Sequence, residues 1–256
     1  MNYTVHISEK MIQVNEILVD ACVGVNHCLS QVGRNLVAEV PKKYCEQAVS
    51  ALKKHFEDAV LIQKAYPMIE DLHDFILIKP LISEAPLASA EGIMIPGLEK
   101  RLVDQASDKE YRNLSDHEIQ KSIQQAFELY SINTSKLLRY AGRKGKMEEM
   151  KTRLARLDRS RIEKVKALQD YFISSPVEKA WIFGSYSRME ENENSDIDIF
   201  VSLEEKTHMG LFALSSMALD LERLLGKNVD LIEEKAVKPF AAESVKRDRI
   251  LIYERA

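Results

Sequence analysis

Cysteine is scarce in this chain, three in 256 residues, and all three (Cys22, Cys28, Cys45) fall in one stretch without a CxxC pair. An odd count with that placement excludes a disulfide framework and a cysteine metal knuckle. The helical setting of Cys22 predicts buried thiols that act as small hydrophobes. Long apolar runs are missing too: the longest, such as Phe75-Ile76-Leu77-Ile78, fall far short of the ~20 residues that cross a bilayer. The start, Met1-Asn2-Tyr3-Thr4-Val5-His6, lacks a basic region followed by an apolar one. The expectation is a cytoplasmic protein with no membrane span. A surplus of positive charge is absent, since 36 Lys and Arg face 40 Asp and Glu for a net charge of -4, which excludes a polycation built to coat nucleic acid. Nine glycines and seven prolines are few, so long elements with visible breaks are expected.

What remains is an ordinary globular composition, 45% hydrophobic and 30% charged, of a length that suits two domains at roughly 100–200 residues each. Met11, Val14, Ile17, Leu18, Ala21, Val25, Cys28 and Leu29 recur at helical spacing and predict a helix over residues 8–38, broken near Gly24 or Gly33. Pro41 sits as a first helical residue, and a second helix is expected to end before Pro67. The breakers from Pro80 to Gly97 predict a loop. Ser115-Asp116-His117-Glu118 reads as a capping box opening a helix to about residue 129, followed by a polar turn and another helix, a helix-turn-helix order. Residues 139–166 hold eleven basic side chains against four acidic ones, the one place where a nucleic-acid backbone or an acidic partner could be held; a solvated helix face explains the same run.

After Pro176 the pattern alternates. Strands are expected over residues 177–183, 196–201, 229–232 and 250–253, with a helix over residues 209–225 capped by Gly226. The expectation is therefore α+β, with an all-α domain over residues 1–157 and a mixed-sheet domain flanked by helices over residues 158–256.

Chemistry concentrates in Phe183-Gly184-Ser185-Tyr186-Ser187-Arg188 and in Asp196-Ile197-Asp198. Residues two apart on a strand share a face, so Asp196 and Asp198 present paired carboxylates, hard oxygen ligands suited to Mg²⁺ and its phosphate-bearing substrates. Gly184 permits close approach of a phosphate and Ser185 adds a neutral donor. Asp230 lies between Val229 and Leu231, where an unpartnered buried carboxylate would be costly, so a metal or proton-accepting role is expected of it. The six histidines show no ligand spacing such as HExxH.

Gly-Ser, a spacer of ten residues, Asp-x-Asp among Ile197, Ile199 and Phe200, and the later Asp230 together resemble the nucleotidyltransferase superfamily with the DNA polymerase β palm-like fold. Gly184-Ser185-Tyr186-Ser187-Arg188 followed by Ser195-Asp196-Ile197-Asp198-Ile199 is most similar to its minimal nucleotidyltransferases, which include antitoxins paired with HEPN toxins. The resemblance covers residues 158–256. It implies that Asp196, Asp198 and Asp230 are catalytic and ligate two Mg²⁺ ions, that Gly184 and Ser185 bind the nucleotide phosphates with help from Arg188, and that a toxin-like protein is a partner. One departure is Met189, where the group usually has a small residue, often glycine. The expected reaction transfers a nucleoside monophosphate, AMP from ATP, to a hydroxyl of a protein or small molecule and releases pyrophosphate. The alternatives are an antibiotic nucleotidyltransferase and a DNA-binding regulator that senses nucleotide without catalysis.

Overall fold

The computed structural model describes residues 5–62, 74–192, 194–204, 210–234 and 248–255. The chain forms two compact units, one of residues 2–123 and 131–157, the other of residues 124–130 and 158–256.

The first unit opens with helix α1 (Glu9–Ala21), started by the Ser8 hydroxyl, which accepts the Met11 amide at 3.3 Å. Its stripe of Met11, Val14 and Leu18 is buried. The helix expected to continue to residue 38 stops here. Strands β1 (Cys28–Val32) and β2 (Asn35–Val40) follow as an antiparallel hairpin turned at Gly33-Arg34, with Gly33 at φ +58°. A two-residue loop led by glycine supplies the positive φ a hairpin needs. Every residue of β2 after Asn35 is buried, so its apolar run is nearly continuous and loses the alternation that marks a half-exposed strand. Helix α2 (Cys45–Leu52) follows a single 3-10 turn after Pro41 and gives way to β3 (Ala59–Leu61). The second helix, expected to run to just before Pro67, thus ends at Leu52, and Ala59 and Val60 of its expected stripe lie in a strand instead. The apolar run at Phe75 leads into β4 (Ile76–Pro80), and the breaker-rich stretch forms the hairpin β5 (Leu87–Ala90) and β6 (Ile93–Pro96), turned at Glu91 and Gly92 with positive φ. The all-α expectation for residues 1–157 is thus corrected to helices around a four-stranded sheet of order β1-β2-β4-β3 plus that hairpin.

Beyond the hairpin the helical expectation holds: α3 (Leu98–Ser107), α4 (Asp116–Leu129), α5 (Thr134–Arg143) and α6 (Met147–Ala155). The capping box is closed in both directions, Ser115 N to Glu118 Oε2 at 2.7 Å and Glu118 N to Ser115 Oγ at 3.2 Å. One face of the sheet packs Leu36, Ala38, Val40, Ile76 and Ile78 in a core with α1 and α2; Cys22, Cys28 and Cys45 are free and buried as expected. On the opposite face Glu39 and Lys79, partners in register, begin a buried ionic cluster. Lys100, fully buried, bonds Glu39 at 2.6 Å and pairs with Asp104, while Lys79 bonds Asp108 at 2.8 Å and Glu110 at 2.7 Å. Burial opposes the charge of Lys100, yet Glu39 and Asp104 hold its pKa above the ordinary lysine value. Tyr140 donates to Asp104 at 2.9 Å.

In the second unit, α7 (Arg159–Ile173) starts at Asp158, whose side chain accepts the Arg161 amide at 3.1 Å. Strands β7 (Val177–Phe183), β8 (Ile197–Leu203), β9 (Val229–Glu233) and β10 (Ile250–Glu254) form a mixed sheet of order β10-β7-β8-β9, parallel only between β8 and β9. The short helix α8 (Gly184–Arg188) follows β7 directly. Helix α9 (Leu211–Leu225) ends at Gly226 with φ +63°, the expected left-handed cap; its expected start at Met209 lies outside the described residues. Ile182, Ile197, Ile199, Val201 and Leu231 meet Val165, Leu168 and Phe172 of α7 and Met217 and Leu221 of α9 in one core. No helix among the described residues is long and apolar enough to cross a membrane.

Candidate active site

Alternation along the strands places the acidic residues. In β8, Ile197, Ile199 and Val201 turn into the core, so Asp198 and Phe200 take the other face; Val229 and Leu231 do the same for Asp230 in β9. Parallel register then sets Asp198 opposite Asp230, and antiparallel register sets Phe183 opposite Asp198. Asp196 stands one residue before β8, exposed, with its Oδ1 accepting from Asn228 Nδ2 at 3.0 Å. The expected trio therefore converges on one end of two neighbouring strands. Asp230 corrects the sequence reading in one respect: only its neighbours are buried and its own carboxylate is exposed, so desolvation cost does not explain it.

Gly184 is fixed by contact and by conformation. Its φ is +68°, and a Cβ there would overlap the Asp198 carboxylate oxygen and stand 3.1 Å from Asp198 Cγ. Only glycine lets the turn after β7 lie against that carboxylate. Ser185, half-buried, follows in α8; Ser187 Oγ donates to Gly184 O at 2.8 Å and ties the turn to itself. Met189 closes the turn at φ +60°, so this chain keeps the left-handed turn without the glycine that suits it. Arg188 is exposed and bonds Glu190 at 2.7 Å and Asp248 at 3.2 Å. Phe183 and Phe200 stack at 4.0 Å beside the carboxylates.

Burial raises the pKa of Asp198, and the charges of Asp230 and Asp196 add to the rise against an opposing pull from Arg188. Carboxylates that repel one another in this way favour a cation between them. Among the described residues no three His, Cys, Asp or Glu side chains already enclose a metal-sized space. The fit to Mg²⁺ lies in the donors, carboxylates of hard oxygen from β8, β9 and the residue just before β8.

Seven of the eleven basic side chains at residues 139–166 pair with acids of the protein, some of them at the surface. Arg143 pairs with Glu84, Lys144 with Asp104 and Asp108, Lys146 and Arg153 with Glu149, Lys151 with Glu148, Arg156 with Asp116 and Arg161 with Glu128. Sequence reasoning missed Arg161, Glu128, Glu191 and Asn228 around the site, and Lys227, whose Nζ donates to the Asn192 and Ser195 carbonyls at 3.0 and 3.2 Å in the loop before Asp196. Arg161 carried a signal, because it stands in phase with Val165, Leu168 and Phe172 on the buried stripe of α7; the others carried none.

A mixed sheet with a glycine turn against paired strand carboxylates is the arrangement of a nucleotidyl-transfer enzyme. Residues 166–256 match the family described as polymerase beta, nucleotidyltransferase, and residues 25–159 match a family of unknown function (DUF6577). The protein adenylyltransferase MntA of Thermococcus cleftensis is 37% identical over 30% of this chain and 75% of its own length. A Methanocaldococcus jannaschii protein (MJ1379), assigned by inference as a protein adenylyltransferase, is 38% identical over 28% of this chain and 72% of its own. A toxin-antitoxin crystal structure with AMP-PNP aligns over 36% of this chain and 73% of its own at 26% identity and a TM-score of 0.31; the family rests on the sequence relatives. The chain belongs to the polymerase β-type nucleotidyltransferases, and its longer N-terminal portion belongs to the family of unknown function.

Proposed function

We propose that residues 158–256 catalyse Mg²⁺-dependent transfer of AMP from ATP to a protein hydroxyl, releasing pyrophosphate, and that residues 1–157 select the acceptor. The observation that carries this reading is the register of Asp198 with Asp230 beside the Gly184 turn. Asp196, Asp198 and Asp230 would hold the metal, which when bound supplies charge neutralisation at the transferring phosphate. Gly184 and Ser185 would receive the nucleotide phosphates on the backbone and hydroxyl of the turn, with Arg188 beside them. Asp230, whose carboxylate is exposed, would accept the proton of the acceptor hydroxyl. Protein as acceptor follows the names of the relatives, and the resemblance of Gly184-Ser185 and Asp196-Ile197-Asp198 to the minimal nucleotidyltransferases that include antitoxins favours a toxin-like protein as partner.

The test incubates wild type and Asp196→Asn/Asp198→Asn with radiolabelled ATP, Mg²⁺ and total protein from the native host. Wild type alone should label a discrete band. ATP binding and labelling unaffected by Mg²⁺ and by both substitutions would overturn the assignment.

A further inference from the structure

Arg161 does not face solvent. Its guanidinium is buried, and each of its three nitrogens is spent on a different segment. Nε bonds Glu128 Oε1 of α4 at 2.5 Å, Nη2 bonds the Tyr186 carbonyl inside the Gly184 turn at 2.6 Å, and Nη1 pairs with Glu191 in the loop that leads to Asp196. Its Cζ also lies 4.0 Å from the Tyr186 ring centroid, and that ring is in the core of the unit. Glu128 is held in its turn by Gln124 Nε2 at 2.9 Å. Burying one cation against two carboxylates is a weak source of stability, so the value of the arrangement lies in geometry. A planar fork with fixed donor directions suits three acceptors at once, which an ammonium on a flexible stem does not reproduce.

We propose that Arg161 is a positioning residue for nucleotidyl transfer: its guanidinium locks the Gly184–Arg188 turn and the loop before Asp196 into one arrangement, so that the turn and the metal-site carboxylates keep their spacing. This inference rests on the nucleotidyltransferase reading for its kinetic consequence but not for its structural one. Arg161→Lys keeps the charge and loses the fork. Glu191→Gln removes the charge partner on the loop alone and serves as the second variant should Arg161→Lys fail to fold. Arg159→Lys, an exposed arginine of the same helix, is the control.

Two readouts separate the possibilities on the full-length chain. Amide hydrogen exchange across residues 184–196 reports the positioning directly, and steady-state AMP transfer reports kcat and the KM for ATP. Arg161→Lys should loosen protection in that segment and lower kcat/KM about 100-fold, the scale of a catalytic misplacement near 1 Å, through both constants. Glu191→Gln should loosen mainly the loop and lower kcat at nearly unchanged KM. The control should match wild type in both. Unchanged protection in the two variants, or wild-type kinetic constants in folded active variants, would overturn the proposal. Loosened protection in a protein that transfers no AMP even as wild type would leave the positioning role standing and remove the catalytic reading instead.

Discussion

Replacing Gly184 by alanine separates two costs that usually arrive together. Gly184 and Gly226 have nearly the same left-handed backbone, φ +68° and +63°, but a Cβ at Gly226 meets nothing within 4 Å while one at Gly184 overlaps the Asp198 carboxylate. Backbone strain for an L-residue there is about 1–2 kcal/mol and applies to both. The collision adds about 1–3 kcal/mol at Gly184 alone, the usual range for overpacking, unless Asp198 swings away. Gly226→Ala should therefore lower the melting temperature by roughly 4–8 °C per kcal/mol, as for a unit of about this size, with transfer activity intact. Gly184→Ala should melt lower still and lose about 100-fold in kcat, because the carboxylate is displaced from its place in the site. Calorimetry and AMP transfer on both variants, with and without Mg²⁺, make the comparison. Equal melting temperatures and equal activities would refute the claim that Gly184 is there to make room for Asp198.

Met189→Gly should stabilise the protein by about 0.5–1 kcal/mol, the left-handed strain relieved less the flexibility glycine brings to the unfolded chain; a lower unfolding midpoint would contradict it. Lys100→Ala takes the fully buried cation from Glu39 and Asp104, which keep Lys79 at 3.9 Å and Lys144 at 2.7 Å, and should cost about 3 kcal/mol in urea unfolding, the low end for breaking a buried pair, whereas a loss near zero would mean the cluster is already hydrated. Burial lowers the pKa of His27 below its ordinary 6.5, and its Nε2 lies 2.7 Å from Asn15 Oδ1. A depressed folded pKa means stability that is complete above 6.5 and lost as pH falls toward the folded value. Wild type should lose melting temperature below pH 6.5 more steeply than His27→Gln, and identical slopes would contradict the assignment.

The C-terminal unit was legible because its signals are local. Strands of alternating pattern, a glycine after β7 and a cap at Gly226 each stand within a few residues of the feature they specify. The N-terminal sheet was not, because β2 is buried on both faces and its Leu36-Val37-Ala38 run carries no period to separate strand from helix. The breakers at Pro86, Gly92 and Pro96 marked turns correctly but not the four-residue strands between them. At the site, the carboxylates and the glycine were visible in the spacing, while the exposure of Asp230 depends on which face of β9 meets the core. Arg161 was hidden by its neighbours' charge: eleven basic residues in one run read as a surface, and only its phase with Val165 and Phe172 set it apart.

The central claim is that the second unit moves a nucleotidyl group rather than a terminal phosphate. ATP labelled at the α-phosphate or at the γ-phosphate, given with Mg²⁺ and the protein acceptor, tests it most directly. Acceptor label should come from the α-position alone and disappear in Asp196→Asn/Asp198→Asn. Label from the γ-position, or α-label that survives loss of both carboxylates, would contradict it.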